Sequence, residues 1–140
     1  MIGLFLANKI EGESMNYVVV ALFAFCGGGC RYLLSSWSTS FPWGTLVVNL
    51  VGCFVLVCLT QYLAHILPLS ERLILGAGTG FIGAFTTFST FSLETINFIQ
   101  AQHYWAALLY VTLSLFGGLA CASAGLLVGQ LAQGKAGVQP

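Results

Sequence analysis

The side chains that could do chemistry in this chain are mostly uncharged, and many lie in one short stretch. Hydroxyl groups cluster there between phenylalanines, at Thr86, Thr87, Ser89, Thr90 and Ser92. A single amide, Asn49, lies within an apolar run. Amide N–H and hydroxyl groups can donate hydrogen bonds to an anion, and an aromatic ring presents a positive edge. In series, these groups could replace the water around a small anion, which indicates a path for an ion.

The spacing of these residues places several of them on common helix faces. Phe88 and Phe91 are three residues apart, and Tyr110 and Ser114 are four apart, so each pair shares a face of a helix. Each signal also has an ordinary explanation. A phenylalanine stripe is usually packing or lipid contact, and a buried asparagine often makes an interhelical hydrogen bond of about 0.6–2 kcal/mol. The residues alone leave both explanations open.

The composition shows what surrounds these side chains. Of the 140 residues, 58% are hydrophobic and 6% are charged, with a mean hydropathy of +0.93. Ordinary soluble domains carry about 25% charged residues, so a water-soluble enzyme is excluded. The net charge of 0 also excludes a nucleic-acid-binding protein, which needs a basic face. We therefore expect an all-α integral membrane protein in contact with lipid.

The charged residues divide the chain into four transmembrane helices. Charge-free stretches of suitable length predict helices over residues 16–36, 44–67, 72–99 and 103–132. Arg31 and Glu94 are expected near the ends of the first and third helices. A single transmembrane domain would cover residues 15–134.

Residues 1–14 are expected to form a mobile tail, and 135–140 a short C-terminal tail. The second methionine, Met15, is an alternative start.

The third helix has an unusual composition. Four glycines, at 76, 78, 80 and 83, precede the hydroxyl-rich stretch, and both glycine and threonine disfavour a smooth helix. We expect this helix to be broken within the membrane, where its freed carbonyls could hold a cation and its freed N–H groups an anion. The alternative is a flexible helix without a ligand.

Cysteines and small residues elsewhere point to packing. The five cysteines contain no CxxC pair and have no histidine close by, so we interpret them as apolar filler. On the fourth helix, Gly117, Cys121, Gly125 and Gly129 form a ridge of small residues. Such a ridge is typical of close helix packing, and it could alternatively lie beside a pore wall.

Two motifs resemble the Fluc (CrcB) family of bacterial fluoride channels. The first is Gly-Thr-Leu-Val-Val-Asn-Leu-Val-Gly at 44–52, and the second runs from Gly80 through Thr-Thr-Phe-Ser-Thr-Phe to Glu94. Gly-Gly-Gly-Cys-Arg-Tyr at 27–32 is similar to that family's first-helix ending. The resemblance covers residues 17–133 in order. One departure is Ala84, where many members have glycine.

The resemblance implies an antiparallel, dual-topology homodimer with two fluoride pores, located in the bacterial inner membrane. It implies the following roles: Asn49, Phe88 and Phe91 in the pore; Tyr110 and Ser114 on a polar track; Arg31 and Glu94 in vestibules; and Gly83 and Thr86 holding a structural Na⁺ through their backbone carbonyls. Thr87 and Ser89 join the expected fluoride pathway through their hydroxyls.

The absence of an energy-coupling motif favours a passive channel that lets fluoride leave the cell. The main alternative is a small multidrug-type proton antiporter, which needs a membrane-embedded carboxylate. A structural membrane subunit is a further alternative, but it would not need a broken third helix. Lys and Arg are few. The side of the two termini would carry three of them and the other side one, or two against one without residues 1–14, so both orientations in the membrane are expected.

Overall fold

The computed structural model describes residues 2–36, 40–63 and 69–136, and the regular secondary structure of this part of the chain is all helical. Its α-helices are α1 (Ile2–Ser35), α2 (Trp43–Cys58), α3 (Glu71–Leu75), α4 (Gly83–Phe85), α5 (Phe88–Gln100) and α6 (Tyr104–Ala136). Two π-helical segments, Leu59–Leu63 and Gly76–Ile82, continue α2 and join α3 to α4.

These elements form four spans long and apolar enough to cross a membrane, as the sequence predicts. The spans are Glu13–Ser35, Trp43–Tyr62, Glu71–Gln100 and Tyr104–Ala132, named first to fourth below. The predicted end of the second helix, at residues 64–67, lies outside the described residues, as does the tail beyond residue 136.

Two helix boundaries and the position of Glu94 differ from the sequence prediction. α6 continues to Ala136 rather than ending at residue 132. α1 begins at Ile2 rather than near residue 16, because the first residues include good helix formers such as leucine, alanine, lysine and glutamate. The mobility expected of residues 1–14 stays a prediction. Glu94 does not end its helix: it lies in the middle of α5, which continues to Gln100.

Side chains and local backbone geometry set several helix ends. The Ser70 hydroxyl accepts a hydrogen bond from the Leu73 N–H and so caps α3. Thr87 caps α5 in the same way, accepting from the Thr90 N–H. Between the third and fourth spans, Gln102 adopts a left-handed conformation with φ of 60°, which reverses the chain within a few residues.

The spans pack in two close pairs. The first span packs on the π-helical segment of the third, where Gly76 lies against Phe23 and Gly80 against the Val20 backbone. The fourth span packs on the second, with Gly125 against the Phe54 carbonyl. The small-residue ridge of the fourth span therefore packs helix against helix, and the pairing brings the middle of the second span beside the third.

Candidate functional site

The third span leaves the helical path at Thr86 and Thr87. Thr86 has φ −79° and ψ 157°, and Thr87 has φ −150° and ψ 125°, so both are extended. The four glycines of the stretch expected to be broken are helical, three of them within the π-helical segment and Gly83 at the start of α4. Gly76 and Gly80 pack closely on the first span. The two threonines, both with strong β propensity, carry the extended backbone.

Asn49 of the second span pairs with the backbone of Thr87. Its Nδ2 donates to the Thr87 carbonyl at 3.0 Å, and its Oδ1 accepts from the Thr87 N–H at 2.8 Å. An interhelical hydrogen bond was one of the two explanations of Asn49 that the sequence allowed, and the structure contains two such bonds. Since a primary amide carries two N–H donors, one donor of Asn49 remains beyond this pair.

The extended residues divert two hydrogen-bond donors away from helix carbonyls. In a continuous helix, the Thr87 N–H would bond the Gly83 carbonyl and the Thr90 N–H would bond the Thr86 carbonyl. Here the first donates to Asn49 Oδ1 and the second to Thr87 Oγ1. Gly83 and Thr86 therefore have carbonyl oxygens without their regular helical donors.

These two oxygens fit the predicted Na⁺ site in their chemistry, because hard cations prefer oxygen ligands. Within the described part of the chain, no three His, Cys, Asp or Glu side chains come together to hold a metal ion. Neutral backbone oxygens are therefore the metal ligands that this region provides. Sodium binding itself stays a prediction.

The Thr87 hydroxyl, itself buried, is the centre of a small and partly buried network. It donates to Thr90 Oγ1 at 3.1 Å and lies 3.3 Å from Ser89 Oγ. Together with its capping bond to the Thr90 N–H, these contacts hold the start of α5 in place. Thr87 and Ser89 therefore have structural partners, and a role for them in ion passage stays a prediction.

A cavity of about 540 Å³ lies between the second, third and fourth spans. Most of the residues singled out from the sequence line it: Asn49, Gly83, Thr86, Thr87, Phe88, Phe91 and Ser114. The Ser114 Oγ is buried but has no hydrogen-bond partner among the described residues. A buried hydroxyl without a partner is costly, so this atom is suited to a ligand in the cavity.

An aromatic row leads from the cavity toward α6. The Phe88 and Phe91 ring centroids are 5.9 Å apart, and the Phe91 and Tyr110 centroids are 5.1 Å apart. Phe88 is 80% exposed, whereas Tyr110 is fully buried. The predicted shared face of the two phenylalanines is therefore present, and their row ends at a buried hydroxyl group.

Beyond Phe91, the carboxylate of Glu94 is held by two buried side chains. The Thr45 hydroxyl donates to one of its oxygens at 2.8 Å, and the Tyr110 hydroxyl donates to the other at 2.7 Å. Sequence reasoning missed Thr45. The available signal was its spacing, since Thr45 and Asn49 are four residues apart and share one face of the second span.

Arg31 is not brought to this site. It lies four residues before the end of α1 and does not line the cavity, so its vestibule role stays a prediction. Tyr110 and Ser89 lie one contact away from the cavity, through Phe91 and Thr87 respectively. Among the described residues, the arrangement is a cavity lined by uncharged groups, with the hydrogen-bonded carboxylate of Glu94 beyond Phe91 and outside the lining.

Comparison with known proteins identifies relatives across most of the chain. Residues 18–126 match the family model described as CrcB-like protein, Camphor Resistance (CrcB). The fluoride-specific ion channel FluC 1 of Bacillus cereus is 43% identical over 124 residues, which is 85% of this chain and 86% of that protein. The fluoride-specific ion channel FluC 2 of Listeria monocytogenes is 47% identical over 107 residues, 75% of this chain and 83% of that protein. A family match of this extent, with relatives this similar, establishes that the chain belongs to the CrcB family.

Proposed function

We propose that this protein is a passive fluoride channel. The observation that carries the proposal is the unpartnered Ser114 hydroxyl, buried at a cavity that Asn49 and the Phe88 and Phe91 rings also line. These groups are hydrogen-bond donors and ring edges without a formal charge. The names of the relatives supply the ion, since proteins up to 47% identical are called fluoride-specific ion channels.

The uncharged lining fits conduction better than tight binding. Fluoride is small and strongly hydrated, so its water must be replaced by donors one at a time. A Lys or Arg in the lining would trap the ion, whereas conduction requires sites that are weak enough to leave. The cavity lining contains neither. Asn49, Ser114 and the positive edges of the two phenylalanine rings can act in series.

We further propose an antiparallel homodimer in the bacterial inner membrane, with the third span interrupted inside the bilayer. Phe88 is 80% exposed in a single chain, and a second copy would cover such a ring. A Na⁺ held by the Gly83 and Thr86 carbonyls would supply positive charge to oxygens that lack their helical donors. Fluoride then leaves the cell down its own gradient.

The alternative of a proton-coupled multidrug antiporter is not supported. Glu94 is the carboxylate in the interior of the third span. One of its oxygens accepts a hydrogen bond from Thr45 and the other accepts one from Tyr110. The relatives of this protein are named ion channels rather than antiporters.

The direct test is ion efflux from liposomes that contain the purified protein. A potassium ionophore is added so that K⁺ leaves with the anion and no membrane potential opposes efflux. Fluoride release is then followed with an electrode, and chloride release is measured in parallel. We expect rapid fluoride release without chloride release, independent of a pH gradient. Fluoride release no faster than from empty liposomes would overturn the channel proposal.

A second test addresses orientation. With four spans the two termini share a side, which carries Lys9, Arg72 and Lys135, while Arg31 lies on the other side. This imbalance is small, so both orientations are expected. A cysteine introduced at Gln102, in a background without the native cysteines, should be labelled by an impermeant reagent from both sides of the membrane. Labelling from one side only contradicts dual topology.

A further inference from the structure

Gly52 is a buried glycine of the second span. It lies three residues after Asn49 and lines the same cavity. A Cβ atom at this position would overlap Cγ2 of Thr86, with the next nearest side-chain atoms more than an ångström further away. The Thr86 methyl group therefore rests directly on the backbone of the second span.

Thr86 has little freedom to move away from that contact. Its hydroxyl donates to the Ile82 carbonyl at 3.0 Å, and its backbone N–H donates to the same carbonyl at 2.9 Å. Threonine is β-branched, so turning its side chain to relieve a clash would move the hydroxyl and break the first bond. The clash would instead displace the Thr86 backbone.

A displaced Thr86 backbone would also move Thr87, because the two residues are adjacent and together form the extended segment. Thr86 precedes Thr87, whose N–H and carbonyl are both paired with Asn49. Gly52 and Asn49 lie one helical turn apart, so two neighbouring points of the second span contact two successive extended residues. The contact of Gly52 with Thr86 is van der Waals packing, and the contact of Asn49 with Thr87 is a pair of hydrogen bonds.

We propose that Gly52 is a positioning residue. The absence of a side chain at Gly52 sets where the Thr86 carbonyl lies and whether Thr87 can pair with Asn49. Its effect on flux rests on the proposed channel function, but its effect on the position of Thr86 does not.

The test adds a methyl group at Gly52 and then, in a second variant, removes the Thr86 methyl group that it would meet. Gly52→Ala should lower fluoride efflux by at least about tenfold and raise the Na⁺ concentration needed for half-maximal flux, since small displacements of a positioned group have large effects. In a Thr86→Ser background, which lacks the methyl group but keeps the hydroxyl, adding Gly52→Ala should change both quantities by less than about threefold. A general packing role for Gly52 predicts no such rescue.

Two controls make the result specific. In a Thr86→Val background, which keeps a methyl group at the contact, the loss caused by Gly52→Ala should persist. Gly118→Ala, on the fourth span, adds a methyl group at an ordinary 3.6 Å from Cys53 Sγ and should leave efflux unchanged.

Thermal stability and gel-filtration profile are measured for every variant, so the proposal can be judged even if the wild-type protein carries no fluoride. If Gly52→Ala alone fails to assemble, recovery of assembly by Thr86→Ser supports the proposal. Equal defects of Gly52→Ala with and without Thr86→Ser overturn it, as does wild-type behaviour of Gly52→Ala.

Discussion

Two polar contacts on one face of the second span differ in what they hold. Thr45 donates to the carboxylate of Glu94, a side chain on the regular helix α5. Four residues later, Asn49 pairs with the main chain of Thr87, where the third span is extended. The first contact satisfies a charge, and the second holds a backbone conformation.

The difference explains which residue types can serve at each position. A carboxylate only accepts hydrogen bonds, so any hydroxyl of the right reach can pair with it. An extended residue presents both an N–H and a carbonyl, and a primary amide matches both at once. Asn49 therefore has a more restricted task than Thr45. The contrast predicts that changes at Asn49 have the larger effect.

The largest effect is expected for Asn49→Ala. It leaves the Thr87 N–H and carbonyl unpaired, at about 1–3 kcal/mol for each buried group, and removes a donor from the cavity. We expect fluoride efflux to fall by about a hundredfold, because the extended segment and the ion path both lose their support. Electrode-monitored efflux from liposomes and thermal unfolding in detergent measure the two effects.

Asn97→Ala is the matched control, since Asn97 is an exposed amide on α5. It should change neither quantity appreciably. If Asn49→Ala behaves like Asn97→Ala, the contrast between the two contacts has no functional meaning.

The aromatic row sharpens the comparison, because it connects the two contacts. Phe88→Ile keeps an apolar side chain but removes the ring's positive edge, worth about 0.5–1.5 kcal/mol, so efflux should fall by up to about tenfold. Phe88 is 80% exposed within one subunit, so the stability of the subunit itself should change by only about 0.5 kcal/mol. Phe25→Ile on the first span, where the ring is 83% exposed, provides a control with the same substitution and exposure.

Phe91→Ile should also slow efflux, together with a stability loss within about 1.5 kcal/mol because the ring packs on Tyr110. Methionine at either position should be milder, since it is polarisable and flexible. Efflux of Phe88→Ile and Phe91→Ile equal to that of Phe25→Ile would place the ion path away from the rings.

Loss of the Thr45 contact should have a smaller effect on fluoride efflux, and its main effect should be on stability. Thr45→Val and Tyr110→Phe each remove one hydroxyl donor from Glu94 while keeping the shape of the side chain. Each should cost about 1.5–3 kcal/mol of unfolding free energy, as expected for a hydrogen bond to a charged group. Because both act on one carboxylate, the double variant should depart from additivity by at least about 0.5 kcal/mol. Strict additivity in denaturant unfolding would show that the two donors act independently.

The sequence predicted the spans better than it predicted their contacts. Long apolar runs bounded by charges determine four membrane helices, because the bilayer thickness sets their length. The interruption of the third helix was expected in a stretch rich in both glycine and threonine, and the extended residues are Thr86 and Thr87. Threonine has a strong β propensity, and both backbone groups of Thr87 also pair with Asn49 of another helix. That pairing depends on tertiary packing and could not be read from the third helix alone.

The same reason explains Glu94. A carboxylate in an apolar sequence suggested a helix end, where water would solvate it. The structure instead provides Thr45 and Tyr110 as donors from two other spans. Sequence reasoning identified Tyr110 from its four-residue spacing to Ser114, and the family resemblance added an expected role, whereas the contacts of Tyr110 and Thr45 with Glu94 required the three-dimensional structure.

The smallest expected effect concerns Ser114, and it separates ion binding from structure most cleanly. Its buried hydroxyl has no partner among the described residues, so Ser114→Ala breaks no protein hydrogen bond. Stability should therefore stay within about 0.5 kcal/mol of wild type, or rise slightly as an unsatisfied polar group is removed. If the hydroxyl donates to the passing ion, the loss of a bond of about 1 kcal/mol should slow efflux by about fivefold. Ser123→Ala, an exposed position on the same helix, controls for the substitution. A fivefold loss of flux without loss of stability would distinguish Ser114 from Thr45 and Asn49, whose partners are protein groups. Unchanged efflux would instead remove Ser114 from the ion path, and the channel proposal would then rest on Asn49, the phenylalanine rings and the names of the relatives.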